Sequence, residues 1–370
     1  MPGRTDQLLG RSPLVDSFAV RPGNFAGRPE GGMDAFSEIL SGVKLNGALF
    51  FSAEFSAPWC FSSPASKTLA PLLAPGAPHL VIYHFVIDGE AFVQLPDGPS
   101  IELGPGDIVV LPHGDPHVMT SARGVTAASL TSAIISKVKS RDLRPMQGGG
   151  GGEAARYVCG YMACDPFLSR PILGSLPPVF KVNIRTDRSG NWLENSILHL
   201  VEEAASGRVG SDAMLAKLSE ALFVDTLRRF VVGLPEQETG WLAGARDPIV
   251  GKSLGLLHSR VAHPWTIADL ADEVGISRTG LVERCTRYLS EPPMTYLTRW
   301  RLQLAARSLQ NTPRGVAEIA GEVGYESESA FNRAFKREFG KPPGQYRLNH
   351  KNSWSKNVAM TPLHVADNAL

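Results

Sequence analysis

The 370-residue sequence contains only four cysteines, Cys60, Cys159, Cys164 and Cys285, too few for a disulfide framework in a chain this long. No apolar run approaches the roughly 18 residues that cross a bilayer, and the opening MPGRTDQLLGRSPL lacks the apolar stretch of a secretory signal. Charge of one sign is also missing: 37 Lys and Arg stand against 36 Asp and Glu, for a net charge of +1. Bulk charge therefore points to neither nucleic acid nor an anionic surface. These absences argue against a stapled secreted scaffold and a helical membrane protein, and they make the cytoplasm the expected compartment. What is present is a chain 43% hydrophobic and 20% charged, enough to bury two or three packed domains.

The small charge is unevenly spread. Residues 247–350 hold 14 Lys and Arg against 11 Asp and Glu, and the first 246 residues carry a net −3, a weak division into an acidic front and a basic back. Residues 1–33, rich in Gly, Pro and Arg, read as a mobile arm, and 34–41 as a short helix capped by Asp34. From about 43 to 130, short apolar runs (VKLNGALFFSAEF, HLVIYHFVI, AFVQLP, SIEL, DIVVLP) alternate with turn residues such as Asp88-Gly89 and Asp97-Gly98, the pattern of an antiparallel sandwich or barrel. The five glycines 148–152 read as a flexible loop. RYVCGYMAC (156–164) and PVFKVNIR (178–185) read as further strands. Two helical stripes follow, Trp192, Ile197, Leu200 and Val201, then Met214, Leu215, Leu218, Leu222, Leu227 and Phe230. They serve either to pack on the β domain or to pair with a second copy. Residues 233–240 form a polar linker, and 351–370 a frayed tail.

An internal repeat decides the last third. Ile267-Ala-Asp-Leu-Ala-Asp-Glu-Val-Gly275 recurs in register 49 residues later as Val316-Ala-Glu-Ile-Ala-Gly-Glu-Val-Gly324. Each copy reads as helix, glycine turn, helix. Thr266 with Asp269 predicts a capping box, and Ser277 and Ser327 open the second helices. Leu281 and Cys285, and Phe331 and Phe335, are spaced to face inward. The outward faces then carry Arg278, Thr279, Val282, Glu283 and Arg284 in one copy and Glu328, Ser329, Asn332 and Arg333 in the other. Arg suits guanine, Asn adenine and Glu the cytosine amine in the major groove. Residues 292–309 predict one helix fixing the two units relative to each other. Arg299, Arg301, Arg307, Arg314, Lys336, Arg337 and Lys341 are candidate phosphate contacts.

WTIADLADEVGISRTGLVERC (265–285) and GYESESAFNRAFKREFGKPPGQYR (324–347) make residues 247–348 resemble the DNA-binding domain of the AraC/XylS family of bacterial regulators. The resemblance implies seven helices and two recognition helices in adjacent major grooves. It also implies partners: double-stranded DNA, RNA polymerase, a small-molecule effector and a second copy of the chain, with no membrane. Glu283 stands where the family often has a basic residue, so the base preference of the first recognition helix is its own.

In the front half, Gly106 to His117 fits G-x5-P-x-G-x2-H and resembles the second cupin motif, while YHFVIDGE (83–90) resembles a degenerate first one. His84, Glu90 and His117 are then candidate metal ligands. The usual H-x-H pair is broken by Ile82, and His79 has the opposite strand parity. The alternative is that these histidines are hydrogen-bonded pocket residues and no cofactor is bound. Tyr83, Phe85, Phe92 and Val110 are candidate effector-pocket residues. Cys159 and Cys164, an odd number apart on a strand, fall on opposite faces and do not suit a disulfide.

The expected architecture is α+β and multidomain. It comprises an arm (1–33), a cupin-like β-barrel that binds an effector (34–190), a helical dimerisation and linker region (191–246), an all-α tandem helix-turn-helix domain (247–350) and a tail (351–370). The function expected is a non-enzymatic, effector-responsive transcription regulator. A metal-dependent cupin enzyme with an appended DNA-binding domain, and a ligand-independent regulator, are the rivals.

Overall fold

The computed structural model describes residue 37 and residues 46–77, 79–96, 98–125, 129–140, 142–164, 172–205, 209–235 and 237–349. The expected arm, the tail, Asp34 and Asp97 lie outside the described residues. The strands are β1 (Asn46–Ser56), β2 (Cys60–Ser63), β3 (Leu80–Asp88), β4 (Ala91–Gln94), β5 (Ser100–Leu103), β6 (Asp107–Leu111), β7 (His117–Thr120), β8 (Met146–Gly149), β9 (Ala154–Ala163) and β10 (Phe180–Asn183), with α1 (Ser66–Leu73) and α2 (Thr131–Ser140) between them. They form a six-stranded sheet in the order β10-β6-β3-β9-β1-β8 and a four-stranded sheet in the order β2-β7-β4-β5. Among the described residues no ladder joins the two into a closed barrel.

The six-stranded sheet is the middle of three layers. One face of β3 and β9 (Val86, Tyr157, Cys159) meets Val93, Ile101 and Met119 of the smaller sheet. The other face (Tyr83, Phe85, Val158, Met162) packs on α3 (Arg188–Ala205) and α4 (Ser211–Gly233) through Leu193, Ile197, Leu222 and Leu227. Cys159 and Cys164 accordingly lie in different clusters and are not bridged to each other.

Three expectations need correction here. The glycine run is not a free loop. Met146–Gly149 is an edge strand parallel to β1, and a Cβ on Gly149, whose φ is +108°, would lie 1.8 Å from Ser56 O. Only glycine lets that backbone lie so close to β1. Trp192, placed on the inward stripe of α3, is instead 61% exposed, and Met214 on α4 is 55% exposed. In both helices the stripe starts one residue later, at Leu193 and Leu215.

The linker is structured too. Arg246 closes the end of α4 by donating to the carbonyls of Val231, Val232, Leu234 and Pro235. Helix α5 (Trp241–Arg246) then packs into the C-terminal helices. Trp241 Nε1 donates to Tyr296 Oη at 2.9 Å, and that hydroxyl donates to His258 Nε2 at 2.8 Å. Burial holds the His258 pKa down at about 3, against about 6.5 in an unfolded chain. The unfolded state therefore binds the extra proton between these values, and His258 contributes stability above pH 6.5 that is lost as pH falls toward 3. In denaturant titrations the stability of the native protein should fall more steeply between pH 6 and 4 than that of His258→Gln, by roughly 1.4 kcal/mol per pH unit. Equal slopes would refute the assignment.

Candidate nucleic-acid interface

The repeat folds as two helix-turn-helix units. The first comprises α6 (Pro248–Ser259), α7 (Ile267–Val274) and α8 (Arg278–Leu289). Helix α9 (Pro293–Asn311) leads to α10 (Val316–Glu322) and α11 (Glu328–Phe339), and residues 343–349 are helical. Among the described residues seven helices thus follow residue 247, the number the resemblance implied. The local chemistry is as read: Thr266 Oγ1 accepts from Asp269 N while Thr266 N donates to the Asp269 carboxylate. Gly275 (φ +78°) and Gly324 (φ +81°) make the turns. Ser277 and Ser327 cap α8 and α11 by accepting from Gly280 N and Ala330 N. Leu281, Cys285, Phe331 and Phe335 are buried.

With those faces inward, α8 presents Arg278, Thr279 and Glu283 to solvent, together with Thr286 and Arg287. The last two went unread in the sequence, although they continue the same face one turn on. Helix α11 presents Glu328, Ser329, Arg333, Lys336 and Arg337, with Asn332 half-buried. Glu328, Asn332, Arg333 and Lys336 line an open cleft of about 450 Å³ bordered by Pro342–Gly344. Arg278, Arg333, Lys336, Arg337 and Lys341 have no ion-pair partner among the described residues, so their charge is available.

Other cations of the expected set are committed elsewhere. Arg284 makes a bidentate pair with buried Asp247, at 2.9 and 2.7 Å. Burial would raise the Asp247 pKa, but Arg284 and the N–H groups of Val250 and Ile249 hold it below the usual carboxylate range. Arg284 thus ties the first recognition helix to the N-cap of α6. Arg314 pairs with Glu318 and Glu322, and Arg299 with Glu291. Among the described residues Arg301 donates to backbone carbonyls alone. The partners of Arg284 and Arg301 lie 23 to 40 residues away in sequence and carry no local signal, whereas those of Arg299 and Arg314 are near neighbours.

The front half corrects two further expectations. Tyr83, Phe85 and Val110 face the helices rather than the space between the sheets, and Phe92 lies on the outer face under the Arg123 guanidinium. Strand β3 is buried on both faces, so no alternation betrayed its parity. The metal set does not assemble either. Glu90 is exposed in the turn that leads from β3 to β4 in the other sheet. His117 Nδ1 donates to Asp115 O at 3.0 Å, so its Nε2 accepts from His84 Nε2 at 2.7 Å, and His84 Nδ1 takes the Cys159 thiol at 2.7 Å. Both ring nitrogens of His84 are thereby spent on opposite sides. Among the described residues no three His, Cys, Asp or Glu converge as a metal site.

Comparison with known proteins follows the same division. A cupin family model matches residues 34–231, and a helix-turn-helix domain model matches 270–349. A putative AraC-like transcription regulator of Streptomyces lividans is 33% identical over 280 residues, covering 73% of this chain and 88% of the relative. The chain belongs to the AraC-like transcription regulators. Another AraC-like regulator, from Streptomyces antibioticus, is 32% identical over 66% of this chain and 81% of its own length. The HTH-type regulator AlkR of Acinetobacter baylyi is 26% identical over 85% and 99%. This AraC-like regulator is a DNA-binding protein with a cupin-like front domain. No helix among its described residues is long and apolar enough to cross a membrane.

Proposed function

We propose that this AraC-like regulator is a cytoplasmic, non-enzymatic switch. A small molecule held by the cupin-like domain changes how two recognition helices engage DNA and how the bound protein meets RNA polymerase. The observation that carries the reading is a single apolar core. It runs from Tyr83 and Phe85 of β3 through Leu222 and Leu227 of α4 and Trp241 of α5 to Leu270, Leu281 and Trp300 of the first helix-turn-helix unit. A ligand that prefers one packing of the β domain therefore biases the DNA-binding half through contact alone. On DNA, Arg278, Thr279 and Glu283 read one major groove and Ser329, Asn332 and Arg333 the next. Lys336, Arg337 and Lys341 neutralise phosphate, Glu328 faces the bases beside Asn332, and Thr266, Ser277 and Ser327 border the backbone at the helix N-termini.

The test is a metabolite screen by thermal shift on the full chain, followed by DNA titration with and without each hit. A ligand at 100 times its Kd adds about 2.7 kcal/mol of stability, and one that prefers a single native packing should change DNA affinity by about 5- to 150-fold. Hits that stabilise the protein and leave DNA affinity untouched would defeat the switch reading.

The exposed Trp192 and Met214 on α3 and α4 support pairing of two copies through these helices. Trp192→Glu combined with Met214→Glu should sediment as a monomer at concentrations where the native protein is a dimer. An unchanged sedimentation profile would remove this surface from the interface.

A further inference from the structure

We infer that Arg301 is a positioning residue that sets the distance between the two DNA half-sites the protein can occupy together. The inference rests on the reading that both recognition helices enter the groove. Arg301 lies mid-way along α9, the helix shared by the two units. Its guanidinium touches no carboxylate among the described residues. Nε donates to Val261 O at 2.8 Å and Nη2 to His263 O at 2.6 Å, both in the α6–α7 loop of the first unit. Nη1 donates to Gly324 O at 3.3 Å, in the turn of the second. One side chain thus holds the two units by their loops. A planar fork with five fixed donors suits that task; a single ammonium cannot span it.

The backbone agrees. A Cβ built on Gly324 would lie 2.8 Å from Ala262 O and 2.9 Å from Ala262 Cα. The α10–α11 turn therefore sits directly against the α6–α7 loop. Behind this contact the units have separate interiors. The second is closed around Leu302, Leu309, Ile319, Phe331 and Phe335, whereas Leu270, Leu281 and Trp300 belong to the large core. Beyond helix α9, the Arg301–Gly324–Ala262 contact resists rotation of one unit against the other. One base pair of added spacing moves a half-site about 3.4 Å along the axis and turns it by about 34°, so a rigid pair of units tolerates little of it. A loosened pair loses effective concentration for the second half-site but keeps its affinity for each half-site alone.

The experiment uses the full chain and duplexes recovered by in vitro selection, with the spacer between half-sites changed by one or two base pairs. The native protein should bind at one spacing at least about 10-fold better than at its neighbours. Arg301→Met keeps the stem and drops the donors. It should bind the optimal duplex at least about 10-fold more weakly, show a spacing preference below about 3-fold, and bind isolated half-sites as the native protein does. Arg301→Lys should fall between, and Gly324→Ala should repeat the flattened profile. A sharp profile retained by Arg301→Met would overturn the proposal. So would weakened half-site binding with a salt slope reduced by about 1, which marks a phosphate contact. A native protein that binds one half-site as tightly as two would overturn the two-helix reading and this inference with it.

Discussion

Arg278→Ala combined with Asn332→Ala is expected to abolish site-specific binding and leave a folded, DNA-associating protein. Each residue sits near the N-terminal end of its recognition helix, where base edges are within reach. Arg278 is exposed, and Asn332 Nδ2 lies 3.5 Å from Glu328 Oε1, a contact too long to hold it. A good bidentate base contact is worth about 1–3 kcal/mol of discrimination, so together they supply about 2–6 kcal/mol, a loss of roughly 30-fold to over 10⁴-fold. Alanine is the best helix former, and the Ser277 and Ser327 caps are untouched. Anisotropy titrations on a selected duplex and on random DNA measure both arms, and genome-wide immunoprecipitation of the tagged double variant should lose its discrete peaks. A specific-site affinity within about 3-fold of native would mean that other side chains read the bases.

Phe335→Ala is expected to unfold the second unit and spare the rest. Its ring, fully buried, lies 4.5 Å from that of Phe339, 5.3 Å from Tyr346 and 5.5 Å from Phe331. Truncating a buried phenylalanine costs about 3–5 kcal/mol, a large share of what so small a core supplies. Because that core is separate from the one joining the β domain to the first unit, the loss should stay local. Hydrogen exchange should show protection collapsing over 316–349 while β3, β9 and α8 keep theirs. A uniform loss along the chain would mean the second unit has no independent stability. Affinity for the full site should drop to that of the first half-site alone.

Features that depend on near neighbours were legible in the sequence. The two turns follow from Gly275 and Gly324, the caps from Thr266, Ser277 and Ser327, and the buried faces from Leu281, Cys285, Phe331 and Phe335, each within four residues of its partner. The strands of the front domain were legible where apolar runs were bounded by turns such as Asp88-Gly89. Illegible were the features decided at long range. Arg284 and Arg301 look like DNA cations until Asp247 and the 261–263 carbonyls are found beside them. β3 is apolar on both faces, so Tyr83 and Phe85 could not be assigned to one. Gly148 and Gly149 look free until β1 is seen against them. Trp192 is apolar and adjoins the stripe that holds Ile197, and only the layer packed against α3 shows which face is covered.

The continuous core has a consequence for how such proteins can be recombined. Genetic exchange between relatives would naturally be placed in the polar stretch 233–240, between the two family matches. Yet Trp241, Tyr296 and the residues around them share one interior with the β domain, so a crossover there mismatches two halves of a single packed surface. The tolerant junction lies inside α9, after Trp300, where one interior ends and the next begins. Lineages that acquire new DNA preferences by shuffling would on this ground exchange the last recognition helix far more readily than the first. The first would instead diverge slowly alongside its own sensor.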